Sequence, residues 1–198
     1  MTWFISDYHF YHELARIRSR DQFGTVEEMN SFIISRNNQY VQPSDTLYIL
    51  GDVIVRPETI SKAAFAAELF SYMNATVGLL SGHKQLILGN HDYEYRDNPD
   101  FTGFFESVQE SKTFLLQKRW IQLYHYPVLN WYRRNKGGIH IYGHMHDETV
   151  CRDYEIMAAQ PHAFNVSVEV TGYRPVSFDE ILQQVSAADS AARARIMF

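Results

Sequence analysis

The segment LILGNHD, residues 86–92, sets the problem, because an apolar run suited to a buried strand ends in an amide, an imidazole and a carboxylate. Buried polar groups are costly unless paired, so Asn90, His91 and Asp92 require partners, solvent or a ligand. Upstream of this segment the chain alternates strand and helix patterns. TWFIS at 2–6, DTLYIL at 45–50 and KQLIL at 84–88 read as buried strands. Between the first two, a helix is expected from Thr25, with Thr25 and Glu28 as a capping box and Val26, Met29, Phe32, Ile33 and Tyr40 near helical spacing. Between the second and third, a helix is expected from about Pro57 to Met73, Pro57 suiting its first turn. Such a βαβαβ start implies parallel neighbours whose C-terminal ends share one edge.

Downstream the chain is strand-rich. TFLLQ, RWIQLYHY, GIHIYGH and FNVSVEV read as strands separated by turn signals such as NKGG. Ser177 and Glu180 form a second capping box, opening a C-terminal helix with Ile181, Leu182 and Val185 on one face. The expected class is α/β becoming β-rich, with mixed sheets packed together and flanked by helices. No low-complexity tract or linker divides the chain, and 198 residues suit one domain, 1–198.

Composition narrows the function classes. The apolar segments are too short to span a bilayer, and the opening MTWFISDYHF reads as a strand instead of a leader, so a soluble, cytoplasmic protein without a membrane partner is expected. One cysteine, Cys151, can make neither an internal disulfide nor a thiolate cage, so any metal must rest on oxygen and nitrogen; Cys151 itself reads as a packed or rim residue. The net charge of −5 argues against a broad face for duplex nucleic acid.

One arrangement then recurs at five strand ends: Asp7 and His9; Asp52; Asn90, His91 and Asp92; His125; His144 and His146. In an open α/β sheet ligands bind beyond the carboxyl ends of the strands, so these side chains can converge. Residues two apart on an extended chain point the same way, which pairs Asp7 with His9 and His144 with His146. Imidazole, carboxylate and amide without sulfur suit Mn, Fe or Zn. Seven candidate ligands, Asp7, His9, Asp52, Asn90, His125, His144 and His146, exceed the needs of one ion. They suffice for two divalent ions if one carboxylate bridges, and Asp52, central among the acidic and amide ligands in chain order, is the expected bridge. Two ions about 3.5–4 Å apart clamp the attacking and leaving oxygens of a displacement at phosphorus.

The ordered set DYH (7–9), GD (51–52), GNHD (89–92), His125 in YHYP, and GHMH (143–146) resembles the calcineurin-like metallophosphoesterases. SDYHFYH, TVEEMN, DTLYILGD and NVSVEVTGYRPVSFDEI place the likeness nearer the compact bacterial and phage-encoded branch. The resemblance implies a double-sheet sandwich flanked by helices. It further implies one metal on Asp7, His9, Asp52 and His146 and another on Asp52, Asn90, His125 and His144, with Mn most readily used in vitro. Phosphate-ester hydrolysis by a metal-bridging hydroxide would follow, with His91 facing the substrate as the proton-handling group. Two departures stand out: Val55 replaces an acid common in the wider family, and Tyr124 precedes the lone histidine where small residues are usual.

The expected substrates are small phosphate esters or nucleotides, phosphodiesters first, including single-stranded nucleic-acid ends. A phosphomonoesterase of the same fold, or a catalytically silent scaffold, is the alternative. Asn90 can also offer its amide N–H to a phosphate oxygen, and Asp92 either orients His91 or stabilises a turn. His12, at the rim, and Arg20, pairing with a phosphate, are candidate substrate contacts. Arg133, Arg134 and Lys136 are further candidates for phosphates, and Trp131 and Tyr132 for base stacking. Loops 10–24, 93–112 and 127–138 carry no decodable pattern. Nothing in the residues specifies an oligomer.

Overall fold

The computed structural model describes residues 1–146 and 154–196; Cys151 lies outside them. The chain runs β1 (Thr2–Ile5), α1 (Glu13–Ser19), α2 (Val26–Tyr40), β2 (Thr46–Ile49), α3 (Lys62–Asn74), β3 (His83–Ile87), α4 (Pro99–Thr102) and β4 (Ser107–Gln109). It continues β5 (Ser111–Leu116), β6 (Arg119–Tyr124), β7 (Ile139–Tyr142), α5 (Tyr154–Ala158), β8 (Ala163–Asn165), α6 (Val168–Thr171), β9 (Val176–Ser177) and α7 (Phe178–Ile196). Two mixed sheets result, ordered β4-β3-β2-β1-β9 and β5-β6-β7-β8.

The expected βαβαβ unit is present: β1, β2 and β3 are parallel neighbours with Ile5 opposite Ile49 and Ile49 opposite Leu86. The three apolar runs therefore stop at nearly the same height, and the polar residues after each emerge on one edge. In the second sheet β6, β7 and β8 are parallel, with Leu123 opposite Ile141, and β5 is antiparallel. Phe4, Tyr48, Leu50 and Ile87 from the first sheet share one apolar cluster with Ile121, Leu123, Ile139 and Ile141 from the second, closed by Phe178, Ile181 and Val185 of α7. Helices α2 and α3 bury Met29, Ile33, Phe65, Leu69 and Met73 in a separate cluster on the first sheet.

The second capping box forms in full, Ser177 and Glu180 exchanging bonds at 3.2 and 2.8 Å; in the first, Thr25 accepts from the Glu28 N–H at 3.1 Å, but the Glu28 carboxylate takes the N–H of Gly24, one residue before the cap, at 2.8 Å. Other expectations are corrected. Helix α3 starts at Lys62 and not at Pro57, because the Ser61 hydroxyl caps it by accepting from the Ala64 N–H. FNVSVEV is a strand only to Asn165. There the Asn165 side chain takes the Ser167 N–H at 3.0 Å, a local bond that ends the strand and leads into α6. The 10–24 and 93–112 stretches are not bare loops, since they hold α1, α4 and β4 and reach the start of β5. No helix among the described residues is long and apolar enough to cross a membrane.

Candidate metal centre

The loops beyond the strands are stitched to one another. The N–H of Leu50 donates to Ile5, those of Asp7 and His9 to Gly51 and Asp52, and that of Gly143 to His125. Ser6 bridges the sheets through its N–H to Val166 and its pairing with Ser167. Asp7, His9, Asp52, His144 and His146 all hold φ between 49° and 69°, the left-handed region that non-glycine residues enter at a cost of about 1–3 kcal/mol each. Such strain persists only where the surroundings over-determine it. Gly51, at φ 86°, turns the chain where a Cβ would meet the backbone of Gly89.

At Gly143 a Cβ would overlap Ser6 Oγ and stand 2.5 Å from Asp7 Oδ2. Gly143→Ala is therefore expected to lose about 3 kcal/mol of stability in urea denaturation. An unchanged midpoint would mean that the Ser6–Gly143 contact is not rigid.

Five of the candidate ligands, Asp7, His9, Asp52, His125 and His146, share a pattern: one side-chain atom is tied to the protein and the other is left facing the centre. Asp7 Oδ2 accepts from the His144 N–H at 3.0 Å and the Ser167 hydroxyl at 2.9 Å, whereas buried Oδ1 has no hydrogen-bond partner among the described residues. Asp52 Oδ1 accepts from the His91 N–H at 2.9 Å; its Oδ2 lies 3.5 Å from His9 Nε2 and 3.6 Å from His125 Nε2. His125 Nδ1 sits 2.6 Å from the Leu50 carbonyl, which can only accept, so the proton is on Nδ1 and Nε2 offers a lone pair. That Nε2 stands 3.1 Å from Asn90 Oδ1, again lone pair against lone pair. His146 Nδ1 is 3.0 Å from Glu169 Oε1, leaving its Nε2 3.9 Å from Asp7 Oδ1. His9 Nδ1 meets His12 Nδ1 at 3.0 Å, and its buried Nε2 has no hydrogen-bond partner among the described residues.

Two atoms bound to one ion at about 2.1 Å stand roughly 3–4 Å apart, which is the spacing seen here between groups that otherwise repel. Ligating atoms of Asp7, His9 and His146 lie within 4.8 Å of one another, as do those of Asp52, His125 and His144; His9, Asp52 and His91 form a third such group. Asp52 thus reaches both clusters through the oxygen that the protein leaves bare. The donor set fits divalent cations.

Electrostatics agree with this division. Burial, then the neighbouring Asp7 charge, pushes the Asp52 carboxyl up to about 8. Burial also acts upward on Asp7, but the His9 imidazole, its Nε2 3.7 Å from Oδ1, and the other nearby imidazoles outweigh it and hold it well below the usual carboxylate range. Burial drives His9 down to about 3, so it stays neutral and keeps a lone pair. His146 is raised, its burial outweighed by the Glu169 hydrogen bond and the Asp7 charge.

His12 and His91 border the same centre, with ring centroids 5.0 and 5.2 Å from that of His9, so His12 does reach the rim. Arg20 does not. It is fully buried, and its guanidinium donates to the Tyr8 and Asp7 carbonyls at 2.7 Å and to Glu169 at 2.9 Å, so it supports the ligand loop from behind and is not a substrate contact. Asp92 does not orient the His91 ring either. Its carboxylate is buried and accepts the N–H groups of Asp52, Val53 and Gly89, clamping two loops together.

Arg133, Arg134 and Lys136 are also misplaced for substrate. Their turn precedes β7 beside the start of β6, where a Cβ on Gly137 would stand 2.7 Å from Arg119 Nη1, at the edge opposite the centre. Trp131 is buried there, donating to the Gly138 carbonyl, and Tyr132 packs edge-on against Trp120. Glu169, Arg20 and Ser167 are the supporting residues that sequence reasoning missed or misassigned. Only the short NVSVEV match hinted at that region.

No protein-family model matches the chain. The uncharacterized protein MJ1445 of Methanocaldococcus jannaschii is 32% identical over 183 residues, 92% of this chain and 90% of that protein. The gene 66 protein of Mycobacterium phage L5 is 29% identical over 213 residues, 93% and 94% of the two chains. Among solved structures, the protein of unknown function AQ665 from Aquifex aeolicus superposes with a TM-score of 0.64 at 27% identity, covering 92% of this chain and 98% of its own. The end-to-end match at 32% identity shows that the chain belongs to the same family as MJ1445.

Proposed function

We propose that the protein is a metal-dependent phosphoesterase that hydrolyses phosphate esters, first among them phosphodiesters of nucleotides or nucleic-acid ends. The observation that carries this reading is the row of inward-facing ligand atoms without hydrogen-bond partners among the described residues, Asp7 Oδ1 and His9 Nε2 above all, held by backbone that is strained at five ligand positions. On this reading Asp7, His9, Asp52 and His146 would hold one divalent cation and Asp52, Asn90, His125 and His144 a second, with Asp52 serving both. Cations bound there, Mn, Fe or Zn, supply Lewis acidity toward phosphoryl oxygens and lower the pKa of bound water. The same reading takes the two sheets as one sandwich, residues 1–198 as one domain and the cytoplasm as the location. The apolar cluster shared by both sheets supports the first two.

The chain's own residues handle orientation and protons. The Asn90 amide, at the surface of the centre, keeps Nδ2 free to donate to a phosphate oxygen while Oδ1 faces inward. His91 is anchored through its backbone N–H to Asp52, so its ring is placed beside the reacting region without being tied to a carboxylate. Burial, then the field of His125, lowers its affinity for a proton, which suits an acid that gives its proton to a leaving alkoxide. His91→Ala is expected to lower kcat by about a hundredfold or more while metal content, read by elemental analysis, stays at the wild-type level. Loss of metal in that variant would make His91 a ligand.

The reading is tested with metal-stripped protein on bis-p-nitrophenyl phosphate and p-nitrophenyl phosphate. Activity that is absent after stripping and returns with Mn is expected, with the diester preferred. Reloaded protein inert toward both esters overturns the proposal.

A further inference from the structure

The centre is flanked by two cavities of unlike chemistry. One, of about 430 Å³, opens beside His9 and His146 and is lined by His12, Leu14, Ala15, Arg18 and Ser19. The other, of about 480 Å³, starts at His144 and is walled by Tyr126, Pro127, Leu129, Met145, Ile156 and Met157. In the second, Met145 and Met157 are buried and form the floor. Leu129 and Ile156 form the rim and are 55% and 51% exposed, an unusual placement for large aliphatic side chains. Tyr126 stands at the inner end with its ring edge-on to His144, centroids 4.7 Å apart, and to His125 at 5.0 Å. Among the described residues, no side chain in this wall apart from His144 and the tyrosine hydroxyl carries a polar group able to hold a charge.

We infer that the Tyr126–Leu129–Ile156 cavity is a binding subsite for an uncharged aromatic ring of the substrate, of nucleobase size and chemistry, next to the metal centre. The inference deepens the phosphoesterase reading and rests on it for the word substrate. Its basis is continuity: His144 is at once a candidate ligand and the inner wall, so a group seated against Tyr126 is contiguous with anything held at the centre. Ligand sites of this kind span roughly 300–1,000 Å³, are mostly apolar, and carry few polar groups. The volume suits a planar ring, and the deep, polarizable methionine floor suits a flat π face. A charged group there would lose its hydration without a counter-ion. The opposite cavity, with the Arg18 guanidinium, suits the more polar side of the same ester.

The test uses the metal-free protein, so it does not depend on catalysis. With methyl-labelled methionine, thymidine is expected to shift the Met145 and Met157 resonances saturably, whereas ribose, which lacks the base, leaves them in place. Leu129→Asp and Ile156→Asp, at exposed positions that the fold tolerates, are expected to weaken thymidine about tenfold, the effect of a charge set against an apolar ring. Equal responses to thymidine and ribose, or thymidine binding unchanged in both variants, overturn the inference. Thymidine binding that persists in protein inactive toward every phosphate ester would sink the esterase reading and leave the subsite standing.

Discussion

Asp52→Asn is expected to abolish Mn-dependent hydrolysis and, in metal-free protein at pH 8.5, to melt at a higher temperature than the wild type. The Asp52 side chain is 3% exposed, and its neighbour Asp7 carries a charge, so folding raises the carboxyl from 3.8 to about 8. A group that holds its proton more tightly in the folded state contributes full stability below its unfolded value near 4 and loses it as pH rises through 8. Asparagine carries no such charge, and its amide oxygen can still accept the His91 N–H. The gap between variant and wild type should thus be small at pH 5. It should reach an order of 2 kcal/mol, a few degrees of Tm, above pH 8.

Adding Mn should invert the order. A ligand that binds only the folded state stabilises in proportion to the logarithm of its concentration over Kd, and the variant has lost the shared carboxylate. Thermal unfolding with and without Mn at both pH values checks this. Equal Mn stabilisation of the two proteins would remove Asp52 from the centre. A metal-free wild type as stable as the variant at pH 8.5 would mean that solvent, not Asp7, dominates its surroundings.

The parts legible in the sequence were those whose determinants are local. The strands β1, β2 and β3 are apolar runs cut off by polar residues or glycine, and that punctuation is also what marks Asp7, Asp52 and Asn90. Capping boxes are equally local, three residues apart; both hydroxyls cap as expected, and the reciprocal bond forms at Ser177–Glu180. Helix α1 left no trace because none of its residues is buried, so it has no apolar stripe to read. The strand ending at Asn165 was overrun for a related reason: VSVEV alternates like a strand, and only the Asn165 and Ser167 side chains, bonded locally and to Asp7, divert it. Glu169 and Arg20 were hidden by distance. They are 149 residues apart, and their meaning comes from the fold that joins them. An arginine in RSRDQFG has the signature of a solvated loop residue, yet Arg20 is among the largest fully buried side chains in the described residues.

Arg20→Ala is expected to be the most destabilising single change near the centre, by about 3–5 kcal/mol, because it strands a buried charge. Glu169 is 4% exposed, its Oε1 is bound by Arg20 at 2.8–2.9 Å, and its Oε2 has no partner among the described residues. The carbonyls of Asp7 and Tyr8 would lose their donors as well, in the segment where Asp7 and His9 are already held at positive φ. Arg20→Lys should recover little, since an ammonium is a point charge and cannot copy the fork that reaches two carbonyls and a carboxylate together. The pair Arg20→Met with Glu169→Leu removes both charges and should regain much of the stability. It should not regain the metal: His146 Nδ1 would lose its acceptor, and affinity is expected to fall about 10–100-fold. Denaturation midpoints for stability and chelator competition for affinity separate the two effects. An Arg20→Ala protein with an unchanged midpoint and a raised KM would instead make Arg20 a substrate contact, and its burial beneath the ligand loop argues against that outcome.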